Sequence, residues 1–161
     1  MIDVLLQNLE RGFGQNAGSI PSLELLPCMH VDLWPGARNG MMLGLIKLKA
    51  FRDWTKLYLT DHTTGFSEKV INTSHGRKYS FQINGFYPGD SQELRQFIAI
   101  TDAVKFIARI RDAHGMVRIV GNNCYGLEFD MDSMIAAEMG GKRGTSFTLS
   151  AELPDSSALA Y

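Results

Sequence analysis

A chain of 161 residues can close a single sizeable core but is too short for two comfortable domains. With 45% apolar and 20% charged residues, the composition excludes a disordered chain; no apolar stretch reaches the ~18 residues of a spanning helix, so no membrane partner is expected. Sixteen Lys and Arg against seventeen Asp and Glu leave a net charge of −1, which excludes a global basic field for nucleic acid and makes any charge-based function local.

Along the chain, Ile2, Leu5, Leu6 and Leu9 have helical spacing that ends at Gly12-Phe13-Gly14, so residues 1–20 read as a short amphipathic helix or arm followed by a loop rich in Gly, Asn and Ser. The start carries an early acid at Asp3 and lacks a basic region and a cleavage site, so no secretion signal is expected. Cys28 and Cys124 are too few for a disulfide framework and read as reduced thiols. Together these features point to a cytoplasmic protein or a subunit of a particle assembled inside a cell.

From residue 28 the period changes to two. Met29, Val31 and Leu33 predict a strand, and Pro35 to Gly40 a turn closing on Asn39-Gly40. Further strands are predicted over Met41–Phe51, Trp54–Thr60 and Phe66–Ile71. Tyr79, Phe81 and Ile83 alternate with Ser80, Gln82 and Asn84, the pattern of a half-buried antiparallel strand. Pro88-Gly89-Asp90 stops it, and Asp90 with Glu93 at capping-box offset opens a helix near residues 91–100 with Leu94, Phe97 and Ile98 as its stripe.

Next, Val104, Phe106, Ala108 and Ile110 point inward with Lys105, Arg109 and Arg111 outward; Asp112-Ala113-His114-Gly115 turns the chain into Met116–Val120, a β-hairpin. Two strands follow, at Leu127–Asp132 and Phe147–Leu153, separated by a basic loop, Gly140-Gly141-Lys142-Arg143-Gly144. The expected fold is mainly β: one domain over residues 1–161, with an arm (1–20) and an antiparallel β-sandwich or barrel (28–161) carrying one flanking α-helix.

Sites for chemistry are scarce. Cys28 and His30 lie two apart and Cys124 offers a third ligand, but no second closely spaced pair completes a zinc site, and a buried thiol with an ordinary polar histidine accounts for them. Asp61-His62 and Ser74-His75 sit in turn-like stretches without a nucleophile elbow, and His114 occupies a hairpin turn. Gly12-x-Gly14 and the Gly140 loop match neither phosphate-loop spacing. No catalytic residue, metal or cofactor is proposed, and no enzymatic activity is expected.

Two charge patterns say more. Glu128, Asp130 and Asp132 put three carboxylates about 7 Å apart on one strand face, which a solvated surface explains as well as a site does. Lys105, Arg109, Arg111 and Arg118 read as a basic patch on the outer face of the hairpin. In a ring, one subunit's basic face meets its neighbour's acidic face and sets register. Trp34, Met41, Met42, Trp54 and the Leu5, Leu6, Leu9 stripe look like surplus apolar surface, the mark of an interface, against a thicker monomeric core.

Tyr79–Tyr87, the helix after it, the hairpin Lys105–Gly121 and the closing Gly144–Leu153 together resemble the tail-tube family of bacteriophage tails and contractile injection systems, over roughly the second half of the chain. The resemblance implies a structural virion protein, assembled in the host cytoplasm. Such a protein forms a homo-oligomeric ring, stacks ring on ring with other tail or connector proteins, and lets DNA pass without sequence-specific binding. Tube, terminator, connector and baseplate positions stay open. The acidic row Glu128, Asp130 and Asp132 suits a lumen that does not hold DNA, whereas Lys142-Arg143 departs from a smooth lumen. Leu5, Leu6, Leu9, Trp34, Met41, Met42, Trp54, Arg109, Arg111 and Arg118 are the candidate interface. The alternative is a carbohydrate- or nucleic-acid-binding β-barrel using Trp34, Trp54, Tyr58 and the three arginines; a hydrolase using Asp130 and Asp132 ranks third.

Overall fold

The computed structural model describes residues 20, 22–58, 60, 63–135 and 143–160. The expected arm with Leu5, Leu6 and Leu9, the Asp61-His62 pair and most of the Gly140 loop lie outside these residues. In chain order the elements are β1 (Ser22–Pro27), a 3-10 turn (Cys28–His30), β2 (Val31–Leu33), β3 (Ala37–Arg38), β4 (Met41–Met42), β5 (Lys47–Leu48) and β6 (Thr55–Leu57). There follow β7 (Gly65–Thr73), β8 (Gly76–Pro88), α1 (Gln92–Thr101), β9 (Phe106–Arg111), β10 (Val117–Val120), β11 (Glu128–Ile135), β12 (Arg143–Leu153) and β13 (Ala158–Ala160). The protein is mainly β with one flanking helix, as the alternation predicts; its sheets are not seen to close into a barrel.

One sheet has seven strands in the order β3-β4-β13-β10-β9-β1-β6, and a second has four in the order β11-β12-β8-β7. Pairing is antiparallel except where β13 runs parallel to β4 at Leu159–Met41. The sheets share a core of Leu23, Leu25, Phe106, Ala108, Ile110 and Val120 from the larger and Phe81, Ile83, Phe129, Phe147 and Leu149 from the smaller. Reciprocal backbone hydrogen bonds between Phe106 and Leu127, at 2.9 and 2.8 Å, tie the sheets together at one corner. Gly85 exists for this packing, because a Cβ there would run into the ring of Phe147.

The larger sheet is covered on its other face too. Leu26, Ile107, Val117, Ile119 and Ala160 form a second cluster, roofed by Val31 and by partly buried Trp34, Met42, Ile46, Leu48 and Trp54. The roof is the excursion from Cys28 to Trp54, inserted between β1 and β6, which are hydrogen-bonded neighbours (Leu23↔Leu57). Its Asn39-Gly40 turn is the expected one, with φ of 53° and 74°, the doubly positive conformation that suits a two-residue hairpin between β3 and β4.

Several local expectations change. Cys28–His30 is a 3-10 turn rather than the start of a strand, and the expected Met41–Phe51 strand is broken into β4 and β5. β1 escaped prediction because Leu25 and Leu26 are both buried, one on each face, which erases the period of two. The helix is capped by Ser91, whose hydroxyl accepts from the Leu94 N–H at 3.1 Å, and not by Asp90. Asp90 instead binds Arg95, whose guanidinium hydrogen bonds hold the carboxyl below its ordinary range. From α1, Phe97 reaches Phe106 and Phe129, closing one end of the shared core.

Candidate functional site

Strand register collects the polar side chains of four strands onto one face. Asp130, Thr148, Asn84 and Gly65 lie in one row across β11, β12, β8 and β7, and Glu128, Ser150, Gln82 and Ser67 lie in the next. Asp132 and Ser146 extend the face in one direction; Glu152, Ser80 and Lys69 extend it in the other. Their neighbours Phe81, Ile83, Phe129, Phe147 and Leu149 fill the core behind them. The outcome is a hydroxyl, amide and carboxylate surface, interrupted by Phe86 opposite Ser146, acidic toward Asp132 and carrying Lys69 and the Lys78–Glu152 pair at the other end. Glu128 pairs with Lys105 at 3.1 Å and Lys78 with Glu152 at 3.9 Å, all four exposed, so each pair contributes at most about 1 kcal/mol.

Both edges of this sheet are open: among the described residues no strand pairs with the outer side of β7 or of β11. β7 runs for nine residues and β11 for eight. The β7–β8 hairpin also outruns its neighbour. Pairing with β12 ends at Tyr79, so Ile71–Lys78, Asn72–Arg77 and Thr73–Gly76 form a free two-stranded ribbon.

The basic residues do not share one face. Arg109 lies opposite Glu24 and Ile119 on the roofed face; its guanidinium is bound by the Glu24 carboxylate and lies 4.6 Å over the Trp54 ring. Arg111 is on the same face, with its Nε buried and without a hydrogen-bond partner among the described residues. Arg118 pairs with Ile110 in the ladder and therefore points the opposite way, toward β7, where it sits 6.0 Å from the Phe66 ring. The patch expected from the hairpin sequence is thus split, because the return strand puts Arg118 level with a core residue.

Trp34, Met42 and Trp54 pack on the second cluster, so the chain's own core uses them; Met41 is half-buried in the β4 ladder. Tyr58 is exposed, edge-on to Tyr87 at 6.2 Å. Of the residues of the ligand-binding alternative, Trp34, Trp54, Arg109 and Arg111 share the roofed face, whereas Arg118 points to the opposite face and Tyr58 packs against Tyr87.

No group of three or more potential metal ligands occurs among the described residues. Burial pushes the Cys28 thiol up to about 11. His30 is held below its ordinary value by partial burial and then by the charges of Arg52 and Lys49. No described helix is long and apolar enough to cross a membrane. Compared with family models, curated proteins and solved structures, the chain gives no match.

Ser67, Gln82, Asn84, Ser146, Thr148 and Ser150 belong to the polar face as much as the three carboxylates do. Gln82, Asn84, Ser146, Thr148 and Ser150 were each legible as outward-facing from their own strand's alternation, whereas Ser67 was not, because Glu68 and Ile71 break the alternation of β7. Their joining into one surface depends on the strand order, which no local pattern encodes.

Proposed function

We propose that this chain is a structural subunit of a phage tail, a tail-tube-like β-sandwich that assembles into rings whose bore conducts DNA. The observation that carries the reading is the four-stranded sheet with a polar outer face and two open edges. Because it has an even number of antiparallel strands, β7 and β11 run in opposite directions. Rotating one copy beside the next about an axis along the strands therefore brings β11 of one against β7 of the other with antiparallel pairing preserved. Such a junction is heterologous, and it closes into a ring when the rotation divides a full turn. It also removes two long exposed edges that a monomer would leave as templates for aggregation.

In that ring the polar faces join into one inner wall. Serine, threonine and amide side chains are neutral toward DNA, and Glu128, Asp130 and Asp132 repel phosphate; Lys69 and the Glu152-paired Lys78 stand at one end only, so most of the wall offers no counterion-releasing contact that would hold the duplex. The free ribbon at Ile71–Lys78 extends about 10 Å along the strand direction, toward an adjacent ring. Negative-stain electron microscopy of the purified chain tests the proposal: rings or stacked tubes are expected, and a chain that stays monomeric at high concentration overturns it.

A further inference from the structure

A cleft of about 280 Å³ lies at the end of the sandwich where β12 finishes at Leu153, bounded by the Asn39-Gly40 turn of the roof, Tyr79 of β8 and the loops after β10 and β12. Two aromatic side chains line it, each seated in a different core: Trp34 packs on the second cluster and Tyr79 on the core that the sheets share. That packing fixes the surface each ring gives to the cleft before any ligand arrives.

Hydrogen bonds hold the three loops that complete the lining. The Gly40 carbonyl accepts from the Leu159 N–H at 2.7 Å, which fastens the turn carrying Asn39 to β13. After β10, the Asn122 Oδ1 accepts from the N–H groups of Cys124 and Tyr125 at 2.8 and 2.7 Å. After β12, Asp155 and Ser156 precede Ser157, whose N–H and hydroxyl donate to the Glu68 carboxylate at 3.1 and 2.6 Å. The cleft is thus preformed.

Its polar groups select a kind of ligand. Asn39, Asn122, Asp155, Ser156 and the Tyr79 hydroxyl supply amides, a carboxylate and hydroxyls, and no lysine, arginine or histidine is among the described residues that line it. Because the Oδ1 of Asn122 is committed to the backbone, Nδ2 is the atom it has for a ligand, a donor, whereas the Asp155 carboxylate accepts. A phosphate would meet Asp155 with no cation to balance it, and a wholly apolar ligand would strand the polar groups. A sugar ring satisfies both conditions: its slightly positive C–H bonds lie on the negative face of an aromatic ring, and its hydroxyls donate and accept around the edge. The volume is near the lower end of small-molecule pockets, about 300 Å³, which suits one such ring.

We infer that this cleft binds one residue of a neutral carbohydrate, with Trp34 and Tyr79 as its stacking surfaces, Asn122 donating and Asp155 accepting. The inference stands apart from the ring reading, since it uses neither the polar face nor the edges of the four-stranded sheet.

Saturation-transfer NMR on the purified chain tests it, with neutral trisaccharides of glucose, galactose, mannose and N-acetylglucosamine as probes and adenosine as the contrast. At least one trisaccharide is expected to bind at concentrations up to about 10 mM, with saturation concentrated on one of its rings, and adenosine is not. Two variants locate the site. Asn122→Asp keeps the oxygen that holds Cys124 and Tyr125 and exchanges the donor for an acceptor; Asp155→Ala removes an exposed carboxylate. Each should weaken binding of that trisaccharide by about tenfold or more and melt within a few degrees of the parent. Trp34 is left in place because the second cluster needs it. The inference is overturned if no trisaccharide binds, if adenosine binds in preference, or if the variants bind like the parent. Should Asn122→Asp melt early, Asp155→Ala decides alone. Asp155→Ala should also sediment as the parent does, so a chain that never associates counts against the ring and not against this cleft.

Discussion

The two sheets use the same strand chemistry to opposite ends. The seven-stranded sheet is apolar on both faces: one packs on the smaller sheet and the other lies under the excursion from Cys28 to Trp54. The four-stranded sheet is apolar on one face only, and among the described residues nothing pairs with its two edges. Burial on two sides makes the larger sheet the stable frame of the molecule. The smaller sheet keeps its hydrogen-bonding edges and polar surface available, and function belongs where the fold has left groups uncommitted.

This contrast is broken most directly by matched outward-facing substitutions. Ile107→Ala, on the roofed face of β9, is expected to cost about 2–5 kcal/mol, whereas Asn84→Ala, on the open face of β8, should change stability by less than about 0.5 kcal/mol. Urea unfolding of the two variants decides, and equal losses would end the distinction between the faces.

The two arginines sharpen it next. Arg109→Ala leaves the mostly buried Glu24 carboxylate unpaired and uncovers Trp54, for an expected loss of about 1.5–3 kcal/mol. Arg118→Ala forfeits a longer contact with Phe66 and should cost about 1 kcal/mol or less. Reversing Arg109 to Glu would therefore impair folding as well as any contact between subunits.

Smaller effects follow from titration. Cys28 keeps its proton well above neutral pH, so a thiol-alkylating reagent at pH 8 should label exposed Cys124 and spare Cys28 in the folded chain; peptide mapping by mass spectrometry reads the difference. His30 has a lowered pKa, so as pH falls through the ordinary histidine range the unfolded chain takes up the proton first and the folded state loses stability. His30→Gln should flatten that part of the profile of melting temperature against pH, with little change at pH 8.

How far the sequence was readable follows the same division. Strict alternation made Tyr79–Asn84, Glu128–Asp132 and Phe147–Leu153 plain as strands with one wet face, and those strands build the candidate site. In the larger sheet, Leu25-Leu26 and Phe106-Ile107-Ala108 are buried on both faces, so Ile107 did not stand out and β1 gave no signal at all. Trp34 and Trp54 looked like surplus surface because the roof they help to form has almost no regular structure of its own. The opposed directions of Arg109 and Arg118 follow from the β9–β10 register across the turn, which composition does not encode.

The central claim is that rings form through the open edges of the four-stranded sheet, and hydrogen exchange measured across a dilution series tests it most directly. In dilute protein the amides of Gly65–Thr73 and Glu128–Ile135 that point away from their paired strands should exchange freely, while Phe106–Arg111 stays protected throughout. As concentration rises and the sedimenting mass increases, protection should appear at both edges together. An increase in mass with no protection at either edge would contradict the account.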